Sequence, residues 1–459
     1  MIETSPPETT QPPPPAPLNE LPPGPSMPPG LQMLGFWYRR HAFFESCRAQ
    51  YGHRFTIRMR VPPQPYVVLS SPDDIKELFS GPPDALWCGD GSLELEKYFG
   101  PTGLAFLEGD EHLVRRKQIN KSMHGEAVER IAASIAEVTE RHVASWPRDE
   151  IVELYHRAHR LTIDVVRHVN FGPEPDRRLD ELVDSVERLM EFNNSIASMF
   201  KTQDWPPRAL RALAAFRPSG YKRFLELRER CDRLIYEVVD DRRRAGGDGG
   251  GMVGMLLSST NGDGSPLSTQ VVRDEVMTNF LAGTATTAAS IGWAVERITR
   301  EPAVRERLVE EIDAGGDDSY LTATVQEILR RKPPLSGAIP RLVMKPIEIG
   351  GVLYPPGTRL MASSYLVHHD ASVYPDPYSF RPERFLESPP GLYTWIPFGG
   401  GRRRCLGKAI AELELKCVLR EIFGQCELRP DSPEPERTRS HIATVRPSRG
   451  ARVVLHDRA

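Results

Sequence analysis

The longest helical pattern in the chain runs from about Ser268 to about Arg300 and is stopped by Pro302, because proline cannot continue a helix interior. Ser268 is placed to cap it, although no capping box follows. Its centre, "FLAGTATTAAS" from Phe280 to Ser290, gathers Gly, Ala and three Thr, a composition that lets something come close to the helix backbone. Upstream, "RFTIRM" and "YVVLSS" read as short strands, and "SPDDIKELFSG" reads as a short capped helix. Residues 84–106 form an irregular Gly-rich loop carrying Trp87, Tyr98 and Phe99. From Asp110 to about Asp241 the period is mostly helical, as in "AVERIAASIAEVTERHVASW", with an interruption at "FKTQDWPPRALRALAAFRPSG". Past the long helix come the helix "TATVQEILRRK", a strand pair around "IEIGGVLYPPGTRLMASS", a proline-punctuated loop and a last helix from Leu406. The pattern predicts a mainly α protein with small sheets and no internal repeat.

Residues 1–30 hold twelve prolines, which predicts an extended leader, with a disordered Pro-rich tail over 1–20. At 459 residues and 39% apolar content the chain can bury a large core. A formal charge of −3 argues against a nucleic-acid partner. No run of eighteen apolar residues exists and no signal pattern opens the chain, so a cytoplasmic protein without a membrane span is expected. Six scattered cysteines with no CxxC pair exclude a disulfide framework and a zinc ribbon.

The chemistry concentrates in "FGGGRRRCLGKAIAELELKCVLREIF". Three glycines and three arginines precede Cys405, and a helix begins just after it. Backbone N–H groups and the helix dipole at that start, with Arg403, Arg404 and Lys408, favour thiolate over thiol. Three readings compete. A buried structural cysteine leaves the Gly–Arg run unexplained. A phosphate loop fails because five residues separate Gly401 from Gly407 and Ala409 follows Lys408. Thiolate ligation of haem uses all of it: a flat ring needs a bare backbone, and its carboxylates need arginines.

The spacing Phe398-x-x-Gly401-x-Arg403-x-Cys405-x-Gly407 resembles the haem-binding signature of the cytochrome P450 family. The resemblance spans roughly residues 20–455 and implies one large, mainly α domain with a small β-rich lobe over 21–459. By it, Cys405 is the proximal iron ligand of haem b, Phe398 packs near the sulfur, and Arg403 meets a haem propionate. Glu327 and Arg330, three apart in "VQEILRRK", share a helix face and are similar to the family's ExxR pair, with Arg384 of "FRPERF" as a third, buried member. His112 and Arg116 of "GDEHLVRRKQ", with Arg341 of "AIPRLV", stand where the family binds propionates.

The same resemblance lays the long helix across the distal haem face. Ala282 and Gly283 then give the backbone room, and Thr286 is the threonine beside bound oxygen. Where the family carries an acid, this chain has Ala285. The oxygen chemistry needs protons, and three routes stay open. Water held by Thr286, with Thr284, delivers them; a polar group of the substrate completes the relay; or the enzyme does a less common job, oxidative coupling or peroxide-driven oxidation. A non-catalytic haem-thiolate ligand-binding protein is the competing class.

Family pocket segments here are apolar: Trp87, Phe99 and Leu104 in the early loop, Met190 and Met199 in the middle helices, Asn279 on the long helix, and Ala338 and Ile339. They imply a hydrophobic substrate such as a fatty acid, terpenoid or polyketide-like molecule. With no flavin or iron–sulfur domain in the sequence, NAD(P)H electrons would come through a ferredoxin or flavodoxin and its reductase, to a bacterial-type monomer.

Overall fold

A computed structural model describes residues 13–60, 63–89, 100–123, 125–192, 221–247, 250–261, 263–441 and 444–458. The long helix spans Thr269–Ile298, and the Ser268 hydroxyl accepts from the Val271 N–H as the sequence predicts. Most of it is buried, because it runs through the middle of the largest apolar cluster. Its most extensive partner is the helix Leu154–Phe171, and the helices Tyr221–Arg244 and Lys408–Gln425 also pack on it.

Two smaller apolar clusters form the β-rich lobe. Its sheet sets Arg54–Ile57, Tyr66–Leu69, Arg359–Ala362, Arg341–Val343 and Leu86–Trp87 side by side in that order. Only the pair Tyr66–Leu69 with Arg359–Ala362 is parallel. Val67, Val68 and Leu69 are wholly buried there, which accounts for a run of apolar residues rather than an alternation. Among the described residues three further ribbons complete the strands: Ile151–Glu153 with Arg452–Asp457 and Cys426–Pro430, the hairpin Ile347–Ile349 with Val352–Tyr354, and the pair Thr438–His441 with Thr444–Pro447. Among the described residues no helix is long and apolar enough to cross a membrane.

Three expectations need adjustment. The helix Pro72–Ser80 forms, but the Ser71 side chain caps nothing; Asp74 in its first turn instead takes two hydrogen bonds from Arg54, at 2.6 and 2.7 Å. Within the loop read as irregular, Leu86–Trp87 pairs as a strand with Leu342 and Val343. Of the leader expected to be disordered over 1–20, the part from residue 13 packs on the body of the protein. Ala16 is buried, and Leu18–Glu20 make a single 3-10 turn.

Candidate functional site

The cysteine loop is shaped by its glycines. Gly399 and Gly401 have φ of +65° and +64°, the left-handed region that side chains resist. A Cβ on Gly400 or Gly401 would overlap Phe79, so the loop lies hard against the helix Pro72–Ser80. After one 3-10 turn, Gly401–Arg403, the Cys405 N–H donates to the Phe398 carbonyl at 3.0 Å. The Phe398 ring tilts against Trp395, centroids 6.0 Å apart. The residue Cys405 is exposed, yet its thiol is pushed up by desolvation. The two agree if the sulfur opens onto a space enclosed by protein rather than onto bulk water. The Gly407 N–H, Arg116 and Arg404 pull the other way without prevailing. Without a metal, burial outweighs the local positive field that favours thiolate; a coordinated metal would deprotonate the thiol outright.

On the long helix, Ala282 is exposed between mostly buried turns. Thr286 Oγ1 donates to the Ala282 carbonyl at 2.7 Å, the i−4 bond open to a helical threonine. Three neighbours depart from expectation. A Cβ on Gly283 would lie 3.0 Å from Val166 Cγ2, so this glycine serves the contact with the helix Leu154–Phe171. Thr284 is wholly buried; it donates to the Phe280 carbonyl, contacts the Met190 sulfur at 3.3 Å, and takes a bond from Thr162 on its own carbonyl. It cannot share a water with Thr286. The Asn279 amide nitrogen donates to Asn170 Oδ1 at 2.9 Å and contacts the Met252 sulfur, so its N–H groups are engaged with neighbouring helices. Met190 joins the core by the same contact with Thr284.

His112, Arg341 and Arg403, distant in sequence, line one small cleft with Glu108 and Arg402. His112 is buried, and desolvation with four surrounding arginines holds its pKa down to about 3, so it is neutral. Arg341 is buried and donates to the Ile339 carbonyl at 2.9 Å. Arg403 donates to the Leu107 carbonyl at 2.6 Å and pairs with Glu108. Arg116 reaches the Arg404 carbonyl at 2.7 Å, on the sulfur side. Glu108 escaped sequence reasoning, because one acid before a helix reads as an ordinary first-turn carboxylate.

The Glu327–Arg330–Arg384 set is assembled. Arg330 makes two bonds to Glu327 and Arg384 adds one at 3.2 Å. Arg330 also donates to the carbonyls of His368, Pro377 and Ser379. His368 Nε2 accepts from the Ile396 N–H at 2.9 Å, which carries the network to the start of the cysteine loop.

Of the remaining pocket candidates, Trp87 is half-buried on its strand, Ala338 packs 3.7 Å from where a Gly399 Cβ would sit, and Ile339 is exposed. Phe99 and Met199 lie outside the described residues. A second group went unnoticed in the sequence. Buried Asp274 and Glu275, in the second turn of the long helix, accept from Thr102 and Leu104, and buried Arg115 stands 3.6 Å from Glu275.

This donor set suits a haem. An exposed cysteine stands on a bare-backbone loop, a small residue is exposed on the long helix, and Arg341 and Arg403 converge where two carboxylates would need them. Cys405 would hold the iron, and His112, Arg341 and Arg403 the carboxylates. The comparisons with known proteins agree. The family model described as Cytochrome P450 matches residues 21–455. A Mycobacterium tuberculosis protein with the provisional name cytochrome P450 135B1 is 31% identical over 443 residues, 94% of this chain and 91% of its own. Another from that organism, provisionally cytochrome P450 138, is 30% identical over 96% of this chain and 98% of its own. Among solved structures, a retinoic-acid-bound cyanobacterial CYP120A1 superposes with a TM-score of 0.81 at 22% identity, covering 95% of this chain and 99% of that one. The haem domain of cytochrome P450DA gives the same score at 19%, covering 96% and 98%. By its sequence, its relatives and its fold, the chain belongs to the cytochrome P450 family, haem-thiolate monooxygenases that take electrons from outside.

Proposed function

We propose that this protein inserts an oxygen atom from dioxygen into a hydrophobic small molecule of the fatty-acid, terpenoid or polyketide type. Haem b, held through Cys405, supplies the oxygen-activating chemistry when bound. NAD(P)H electrons arrive through a ferredoxin or flavodoxin and its reductase. The observation that carries this reading is the exposed Cys405, set on a glycine loop beside the cleft lined by His112, Arg341 and Arg403.

The chain's own residues have separate tasks. Arg341 and Arg403 neutralise two carboxylates that would be costly to bury alone. The Glu327–Arg330–Arg384 network stiffens the segment leading into the cysteine loop. The small, exposed Ala282 would leave room for the cofactor and dioxygen. Thr286 is the hydroxyl of the central stretch placed to hold a water there, since Thr284, Thr287 and Ser290 are buried. Ala285 offers no proton, so the relay runs from water on Thr286, completed by a polar group where the substrate brings one.

The test has two parts. Reduced, CO-treated protein must show the thiolate-ligated band, lost in Cys405→Ala. Oxygen-dependent products must then form from a library of fatty acids and terpenoids when a ferredoxin and reductase supply electrons. A thiolate band with no product from any class would leave the non-catalytic ligand-binding reading standing and sink this one.

A further inference from the structure

We propose that Glu108 sets the charge balance of the buried arginine cluster, and through it both the hold on the cofactor's carboxylates and the reduction potential of the iron. The inference rests on the haem reading of the site.

Glu108 immediately precedes the helix Gly109–Met123. Its Oε1 accepts from the N–H groups of Cys88 and Gly89, both at 2.6 Å. Its Oε2 takes the Arg403 guanidinium. One carboxylate thus ties the end of the strand Leu86–Trp87, the start of that helix and the cysteine loop. The pair is shielded, with side-chain exposures of 13% for Arg403 and 17% for Glu108, so solvent screens it far less than a surface bridge.

The groups around it decide the sign. His112 is neutral, and burial keeps the Cys88 thiol protonated. Arg402 lies at the exposed rim and Arg116 donates to the Arg404 carbonyl, yet both remain cations beside Arg341 and Arg403. Burial raises the Glu108 pKa, against the pull of Arg403 and of the Gly89 and Cys88 N–H groups; ionised beside Arg403, Glu108 takes up part of this positive field. Haem b would bring two carboxylates. The negative charge of Glu108 then competes with them for the arginines and opposes an electron arriving at the iron.

Glutamine at 108 keeps one oxygen to accept from Cys88 and Gly89, removes the charge, and sets an NH2 donor where Oε2 accepted from Arg403, so the arginine is released toward the carboxylates. In haem-loaded Glu108→Gln we expect haem transfer to apomyoglobin to slow severalfold and the midpoint potential to move positive. Glu108→Asp, which keeps the charge, should leave the potential near the wild-type value. The haem-stripped proteins, compared by thermal unfolding, report whether the scaffold is intact. A Gln variant with unchanged potential and unchanged or faster haem loss overturns the inference. So does an Asp variant that moves the potential as far as Gln, because shape rather than charge would then be acting. A wild-type protein that takes up no haem overturns the functional reading itself, and this inference with it.

Discussion

Arg330 holds Glu327 by two hydrogen bonds, of 2.7 and 2.8 Å, and neither side chain is exposed at all. The pair sits three residues apart on one helix, yet it acts at a distance. Through Arg330 it fixes the carbonyls of His368, Pro377 and Ser379, and through Glu327 it receives the Arg381 N–H. Removing one partner leaves a buried charge alone, which costs about 3–5 kcal/mol. Arg330→Ala should therefore lose that much stability in urea unfolding and fail to retain haem. A loss under about 1 kcal/mol would mean that the network is a bystander.

Thr286 and Ala285 give the second prediction. Thr286→Ala should lower the product formed per NAD(P)H consumed, with the surplus appearing as peroxide or water. Ala285→Asp should restore an acid and raise the oxidation rate for substrates that carry no polar group near the oxidised carbon. The measurement is product against cofactor oxidised. If Thr286→Ala couples as well as the wild type, the hydroxyl has no part in proton delivery; if Ala285→Asp changes neither rate nor coupling, the relay here is complete without an acid.

Gly283 supplies a packing prediction. Any Cβ there falls 3.0 Å from Val166 Cγ2, tighter than ordinary contact, and both helices are fixed by the main core. Gly283→Val should destabilise by about 1–3 kcal/mol through overpacking. Val166→Ala in the same chain should recover part of the loss, and a double-mutant cycle measures the coupling. Equal additive losses from the two changes would show that the helices do not meet at this pair.

Much of the site was legible because its signals are local. The glycines before Cys405 are required by positive φ and by the approach of Phe79; Ser268 caps where a cap was expected; the Glu327–Arg330 spacing dictates a shared face. What stayed hidden depends on which neighbour covers a residue. Ala282, Gly283 and Thr284 are consecutive, and each step turns about 100° around the helix. One is open, one meets Val166 and one is sunk in the core. The sequence names all three as small and does not say which way each turns. In the same way "VVRDEVMTN" reads as a charged helix start, and nothing local says that Thr102 and Leu104 fold over Asp274 and Glu275.

That covered acid gives the last prediction. Burial lifts the Glu275 pKa to about 8, against the weaker pull of Arg115 and of the Leu104 N–H. In the unfolded chain it titrates near 4.5, so between about 4.5 and about 8 the folded protein binds the extra proton. Stability that is fully present below the lower value is then lost as pH rises through the upper one. The size is on the order of a few kcal/mol. Other groups titrate as well, so the quantity to measure is the difference between wild type and Glu275→Gln in urea midpoints from pH 5 to pH 9. The glutamine keeps an acceptor for Leu104 and has nothing to ionise. Its advantage over the wild type should grow with pH across that window and level off above it. Parallel curves for the two proteins would mean that Glu275 is already ionised and fully paired with Arg115 at pH 5, and that the loop from Thr102 to Leu104 is held by a charge rather than by a neutral acid.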